Sequence, residues 1–289
     1  MKPQFINKIS SSFYHAIDHE LLSKGNAFTN YSGSLSYISD PAYYESAVFG
    51  SPFRQWVADS SIQNAVIPSG VYSNSLFIPR GASGLSLDYD FGRVMFSSGV
   101  SRSAKLTLPY AFKDYNIYFT ESTDETLLFE SKFCIRPKTS VQIQSTGALS
   151  NRDLPYPCIF IRIQDINNSP FSFGGLDDTN TSIRCVVLAD SSYLLDGGLS
   201  IMNDMARKHM PCMDFSDLPF GVKGDFKSGN SYNYSNICAA YAENRPSDMS
   251  LIKSVDISKF PATVNRQIGD GVSAGFADFE ILTRRSPRQ

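Results

Sequence analysis

The sequence predicts an α+β protein dominated by β-structure: a mixed or antiparallel sheet with two main helices, plus an inserted module built from a β-hairpin or β-sandwich-like unit. Three observations carry this. Short apolar runs broken by Gly, Pro, Asn and Ser recur from about residue 45 to residue 188. Only two long stretches space their apolar residues three and four apart, as a helix requires. The 289 residues include 21 Phe and 15 Tyr but only 19% charged residues, below the ~25% usual in soluble domains, a composition suited to a large β core or to surfaces covered by partners. The organisation reads as 1–44, the N-terminal helix and first strand of the core; 45–126, the inserted β-rich module; and 127–289, an α+β core with the second helix and the C-terminal strands.

Each element has a local reason. Ser10 to Lys24 reads as the first helix, with Phe13, Ile17 and Leu21 every four residues. Ser10, Ser11 or Ser12 offers the N-cap, and Gly25 the stop. Ser32 to Ile38 reads as a short strand. Residues 40–80 are punctuated by Pro41, Gly50, Pro52, Pro68, Gly70 and Pro79, with short apolar runs between them. From Leu85 to Phe96 the pattern alternates, turns at Asp90-Phe91-Gly92 and resumes, which predicts a β-hairpin. Lys105–Phe112 and Asp114–Thr120 read as two more strands, one or the other of which the hairpin pairs with, Pro109 marking an edge or bulge. Further strands are expected at Leu127–Arg136, Val141–Gln144, Cys158–Gln164 and Ile183–Leu188. Ser191 or Ser192 then caps a second helix reaching Met210, with Leu195, Leu199, Met202 and Ala206 on one stripe. Its Gly197-Gly198 pair weakens it by ~1 kcal/mol per Gly relative to Ala and permits close packing on a sheet. A loop over 221–234 precedes strands at Ile237–Tyr241, Leu251–Ile257 and Phe276–Thr283. Arg284–Gln289 reads as a loose polar tail.

Charge and motifs exclude more than they assign. With 26 Lys+Arg against 28 Asp+Glu, the net charge is −2. That is no footprint for a dedicated nucleic-acid binder and no polybasic membrane address. No apolar run is long enough to span a bilayer or to act as an N-terminal secretory signal, so folding in a cytosol is expected. Cys134, Cys158, Cys185, Cys212 and Cys238 contain no CxxC pair and read as reduced core residues. Gly271-Val272-Ser273-Ala274-Gly275 fits G-x-S-x-G, but a strand follows it and all three His lie upstream, so it carries no hydrolase reading. His15 and His19 share a helix face yet lack a third metal ligand, and read as polar surface residues. His209 reads as a residue of the second helix's last turn. Asp177-Asp178 reads as a turn rather than a calcium or glycosidase carboxylate pair. Phosphate-loop and dinucleotide fingerprints are absent. Asn30, Asn167, Asn180 and Asn233 begin Asn-x-Ser/Thr sites that report polar loops. The expectation is a protein that is not an enzyme, with no catalytic, cofactor-binding or metal residues.

One resemblance supplies a context. Phe49-Gly50-Ser51-Pro52-Phe53-Arg54-Gln55-Trp56-Val57, Pro68-Ser69-Gly70-Val71-Tyr72 and Leu87-Asp88-Tyr89-Asp90-Phe91-Gly92-Arg93-Val94-Met95-Phe96 resemble segments of virion structural proteins of tailed bacteriophages. Tyr110-Ala111-Phe112-Lys113-Asp114-Tyr115-Asn116 and Phe173-Gly174-Gly175 are similar to the same set. The element order resembles that of neck tail-terminator proteins, from which the β block at about 45–125 departs. The resemblance implies a subunit of a ring, usually of six copies, that contacts head–tail connector or tail proteins in a virion assembled in the host cytoplasm. A different collar or baseplate component is the neighbouring alternative. A receptor- or carbohydrate-binding tail protein is the alternative of another class. The basic tail supplies the contact residues expected from the sequence: Arg284, Arg285 and Arg288, directed at an adjoining subunit or at DNA in the channel.

Overall fold

The computed structural model describes residues 4–39, 46–128, 135–137, 154–171, 175–221, 224–227, 231–268 and 271–285. Strands dominate it, as expected of a β-dominated α+β chain. Helix α1 spans Phe5–Gly25 and is followed by β1 (Phe28–Tyr37) and β2 (Ala47–Gly50). Then come β3 (Gly70–Ser73), β4 (Leu76–Pro79), β5 (Leu85–Asp88), β6 (Arg93–Phe96), β7 (Leu106–Lys113) and β8 (Asn116–Phe119). A helical turn covers 124–128. β9 (Ile135–Pro137) and β10 (Leu154–Tyr156) form a small parallel pair. β11 (Cys158–Pro170), β12 (Asp177–Ala189), α2 (Ser192–Asn203), β13 (His209–Pro211), α3 (Tyr234–Asn244), β14 (Met249–Lys259), α4 (Ala262–Ile268) and β15 (Ser273–Arg285) complete the chain.

Two sheets result. The antiparallel seven-stranded sheet has the order β4-β3-β7-β1-β2-β6-β5, and the mixed six-stranded sheet β13-β14-β15-β12-β11-β8. The sheets cut across the boundaries drawn from the sequence. β1, from the expected N-terminal core segment, pairs with β7 over Phe28–Leu35 and with β2 over Ser36–Tyr37, so it lies inside the seven-stranded sheet. β8, from the expected module, joins β11 in parallel in the other sheet. A single hydrophobic cluster joins both, running from Ile9 and Phe13 of α1 through Leu87, Leu106 and Tyr110 to Ile183, Phe279 and Ile281.

Helix α1 begins five residues earlier than the serines suggested. Phe5 and Ile9 extend the four-residue stripe, and Ile9, Phe13 and Ile17 are fully buried. The serines do other work: the Ser10 hydroxyl donates to the Ile6 carbonyl at 2.8 Å, and the Ser12 hydroxyl accepts from the Met213 amide at 2.8 Å. The helix stops at Asn26, whose backbone takes the left-handed conformation at φ 46°.

The β5–β6 hairpin forms as the alternation predicts, with Leu85 opposite Phe96 and Asp88 opposite Arg93. Leu85, Leu87 and Tyr89 are buried together. Its lateral neighbour differs from the expected one: β6 pairs with β2, while β7 pairs with β1 and β3. Pro109 lies opposite Ser32 and beyond Thr107, the last β7 residue that β3 reaches on its way along the strand, so its missing N–H interrupts no ladder there.

Four other expectations are corrected. Ser191 caps α2, its hydroxyl accepting from the Leu194 amide, but the helix ends at Asn203 instead of Met210. Arg207, at φ 66°, turns the chain so that its amide donates to Ile252, and β13 then pairs with β14. His209 therefore belongs to a sheet edge and caps no helix. Ile237–Tyr241 lies in helix α3, not in a strand, because Asn233 caps it and Asp59 accepts from its first amide. Asp177-Asp178 opens β12 and forms no turn, since both residues find ladder partners in β15. Gly198 allows a close contact, with the Tyr115 ring of the bend between β7 and β8 instead of with a strand: a Cβ there would stand 3.0 Å from that ring. Val141–Gln144 and most of Leu127–Arg136 lie outside the described residues.

Gly92 gives the first test. It closes the hairpin at φ 64°, and a side chain there would overlap the Phe53 carbonyl oxygen. Gly92→Val combines left-handed strain with that overlap and should destabilise the fold by at least ~2 kcal/mol. Urea unfolding would read this as a lowered midpoint.

Candidate functional site

The C-terminal arginines anticipated as free contact groups are structural where described. Arg284 and Arg285 are the last residues of β15, opposite Asp178 and Asp177. The Arg284 guanidinium pairs with Asp178 at 3.1 Å and lies over the Phe171 ring. Arg285 donates to the Thr179 hydroxyl and to Asn168, and covers the Phe5 ring. Neither belongs to a loose tail. Arg288 lies outside the described residues.

The histidines expected on the surface turn inward. His15 is only 6% exposed, its ring 5.4 Å from Tyr232 and stacked at 6.0 Å on Phe220. His19 Nδ1 meets Asp59 Oδ2 at 2.8 Å. Asp59 Oδ1 accepts from the Ser61 amide and hydroxyl and from the Tyr234 amide. Burial alone would raise the Asp59 carboxyl, but these donors hold it below the usual carboxylate range. Ser273 opens β15 directly after α4, a helix-then-strand order that inverts a nucleophile elbow. Cys158 and Cys185 are buried thiols, both pushed up by burial. Cys134 lies outside the described residues. Among the described residues, no three His, Cys, Asp or Glu side chains are grouped to hold a metal, and no helix is long and apolar enough to cross a membrane.

The chemistry that does converge was not singled out in the sequence. At the end of β7, the Lys113 ammonium pairs with Asp18 of α1 at 2.8 Å and stands 5.4 Å from the Tyr14 ring. Burial acts to lower the Lys113 pKa, and the adjacent Asp18 carboxylate, together with Tyr14 and Asp90, more than reverses that, so the ammonium stays protonated. The same burial pushes Asp18 and the Tyr14 hydroxyl upward. Beside this pair, the turn of the β5–β6 hairpin presents Asp88 and Asp90. Burial raises both, Asp88 to about 6. Gln55 ties the group together in a left-handed conformation, at φ 51°. Its side-chain amide donates to the Ile117 carbonyl and accepts from the Ile117 amide, both at 2.8 Å, and it reaches Asp90 at 3.3 Å. The sequence signal for this site was present in Asp88-Tyr89-Asp90 and Lys113-Asp114, but both read locally as strand-end and turn residues.

A second feature is an exposed apolar hairpin. β3 and β4 are joined by Asn74-Ser75, both at positive φ, a two-residue turn of the kind that suits tight hairpins. Tyr72 faces Phe77 in register, their rings 5.1 Å apart. Leu76 is 71% exposed, and Phe77 and Tyr72 are also exposed. Among the described residues β4 has one strand partner, β3, and so forms an open sheet edge.

The chain matches no protein-family model and no curated protein.

His15 provides a pH test. Burial, helped by Lys113 and opposed by Asp59, pushes its imidazole from 6.5 down to about 3. Between those values the unfolded chain binds a proton that the folded chain refuses, so this residue makes stability fall as pH drops. Asp88 acts oppositely: its raised carboxyl contributes stability at low pH that is lost as pH rises from 3.8 through about 6. His15→Phe preserves the stacked ring and removes only the first effect. Below pH ~6.5 the variant should gain on the wild type by up to ~1.4 kcal/mol per pH unit, read from urea melts across the range.

Proposed function

We propose that this protein is a structural subunit of a tailed-phage virion, a neck component of the tail-terminator type that forms a ring at the head–tail junction. The observation that carries the reading is the β3–β4 hairpin. A sheet edge with unpaired backbone groups and exposed Leu76, Phe77 and Tyr72 is the kind of surface that soluble monomers ordinarily blunt with charge, proline or a covering loop. Here β4 is short and ends in Pro79, yet Leu76, Phe77 and Tyr72 remain exposed, and the occupant that fits is a neighbouring copy of the same chain. A hairpin that docks on a different face of the next copy makes a head-to-tail contact, and such contacts form a ring when the rotation between copies closes. The sequence resemblance supplies the virion and the neck; the hairpin supplies the contact. Connector or tail proteins above and below the ring are the further partners of this reading.

The full chain should therefore form closed rings in electron microscopy, with a multiple of the monomer mass in light scattering, six copies by the resemblance. Leu76→Asp combined with Phe77→Asp, at exposed positions that leave the core untouched, should give a folded monomer. A wild-type chain that stays monomeric at high concentration, or a double variant that still forms rings, overturns the proposal.

A further inference from the structure

The β3–β4 hairpin needs a receiving surface on the next copy, and the far side of its own sheet offers one. Strand β1 pairs with β7 along residues 28–35, whereas β2 reaches only its Ser36 and Tyr37. After Gly50 the chain leaves β1: the Ser51 amide donates to the Gly92 carbonyl, and the Phe53 ring stacks on Phe112 at 3.8 Å. Among the described residues, 29–34 therefore have no strand on their outer side, and all of them but Gly33 are exposed. We infer that this open stretch of β1 receives β4 of a neighbouring copy, so that the sheet runs on from one copy to the next. The inference rests on the ring reading and names the receiving half of its contact.

The backbone directions fit. The Ala111 amide donates to Val66 and the Lys113 amide to Gln55, both away from β1. Bonded and non-bonded pairs alternate along an antiparallel ladder. Asn30, Ser32 and Ser34, opposite Ala111, Pro109 and Thr107, therefore aim their amides and carbonyls at the open side. On β4 the Arg80 amide donates to Ser69, and the same alternation leaves Phe77 aiming both its backbone groups away from β3. Strand direction reverses at each step across β4-β3-β7-β1, so β4 and β1 run opposite ways. A copy placed alongside in the same orientation thus sets its β4 antiparallel to β1, which is a head-to-tail contact. Two-fold pairing would instead set β4 against β4, or β1 against β1.

The side chains fit the same arrangement. Tyr31 stands opposite the buried Tyr110, and Leu76 opposite Ser73, which is itself opposite the buried Leu106. Both belong to the core face of the sheet, yet Tyr31 is 38% exposed and Leu76 more so, because each stands at an edge. Pairing β4 with β1 of the next copy sets Leu76 and Ile78 beside Tyr31 and carries the apolar layer across the contact. Charge separates these edges from the others. No Asp, Glu, Lys or Arg occurs in residues 25–39 or 60–79. The outer stretches of β11 and β14 that run past their short neighbours β8 and β13 do carry charge: Arg162 and Asp165 on β11, Lys253, Asp256 and Lys259 on β14. Edge charge of that kind protects a strand from pairing, and β1 lacks it.

Full-length chains with Phe77 replaced by photoreactive p-benzoylphenylalanine are mixed with wild-type copies, the rings are irradiated, and the cross-linked peptides are sequenced by mass spectrometry. The cross-link should join two copies and fall within residues 29–34. Ser32→Pro removes one outward amide at an exposed edge position and breaks no bond to β7. It should abolish rings in light scattering and leave the melting temperature unchanged; if it lowers that temperature, the cross-link alone decides. Rings whose cross-link falls on β4 of the other copy or anywhere else outside β1, or a stably folded Ser32→Pro chain that still forms rings, overturn this inference and leave the ring reading standing. A wild-type chain that stays monomeric overturns the ring reading, and this inference with it.

Discussion

Helix α1 is enclosed by both sheets, and that enclosure forces polar side chains into the interior. Its Phe13 ring packs edge-on against Phe279 of the six-stranded sheet at 4.8 Å. Its Leu22 joins Val57 and Ala111 on the side of the seven-stranded sheet. A helix buried on one stripe can send its charges to water, but one held from two sides cannot. His15, Asp18 and Ser12 are therefore buried, and each needs a specific neighbour. Asp18 finds Lys113, His15 finds an aromatic stack, and Ser12 finds the Met213 amide. Removing one member of a buried pair such as Asp18–Lys113 typically costs ~3–5 kcal/mol, because the charge left behind has lost its compensation.

The junction between the sheets follows the same rule. Gln55 imitates a strand, offering Ile117 a donor and an acceptor where no backbone can reach. Asp59 accepts from α1, from its own turn and from the start of α3, so one carboxylate fixes three segments. Such contacts are directional and demand correct geometry, whereas the hydrophobic cluster around them tolerates small shifts. They set how the sheets meet.

Polar groups in this interior differ in how fully they are engaged. The carboxylates of Asp18 and Asp59 are engaged by close donors. Of the hairpin-turn carboxylates, Asp88 is buried and raised by that burial, its Oδ1 accepting from two amides of the turn, whereas Asp90 is exposed. At the far edge of the same seven-stranded sheet, β4 exposes apolar side chains instead of charge.

Local pattern was enough for elements whose causes are local. The alternation of Leu85 to Phe96 with Gly92 at its turn specified a hairpin, because strand period and left-handed backbone both act within a few residues. Phe13, Ile17 and Leu21 specified a helix, and Ser191 its successor's cap, for the same reason. The β-dominated α+β class followed from the sum of such signals. Tertiary structure decided where pairing overrides periodicity. β14 takes the chain after Arg207 into a sheet although the apolar stripe continues to Met210, and β15 draws Asp177, Asp178, Arg284 and Arg285 into a ladder although their composition resembles turn and tail. It also decided the environment of every charge. Lys113 is 95 residues from Asp18 in the chain, and Asp59 is 40 from His19, so no window of sequence contains both partners. Burial and pKa are set by desolvation and by contacts across the fold, which exist only once the sheets have closed on α1.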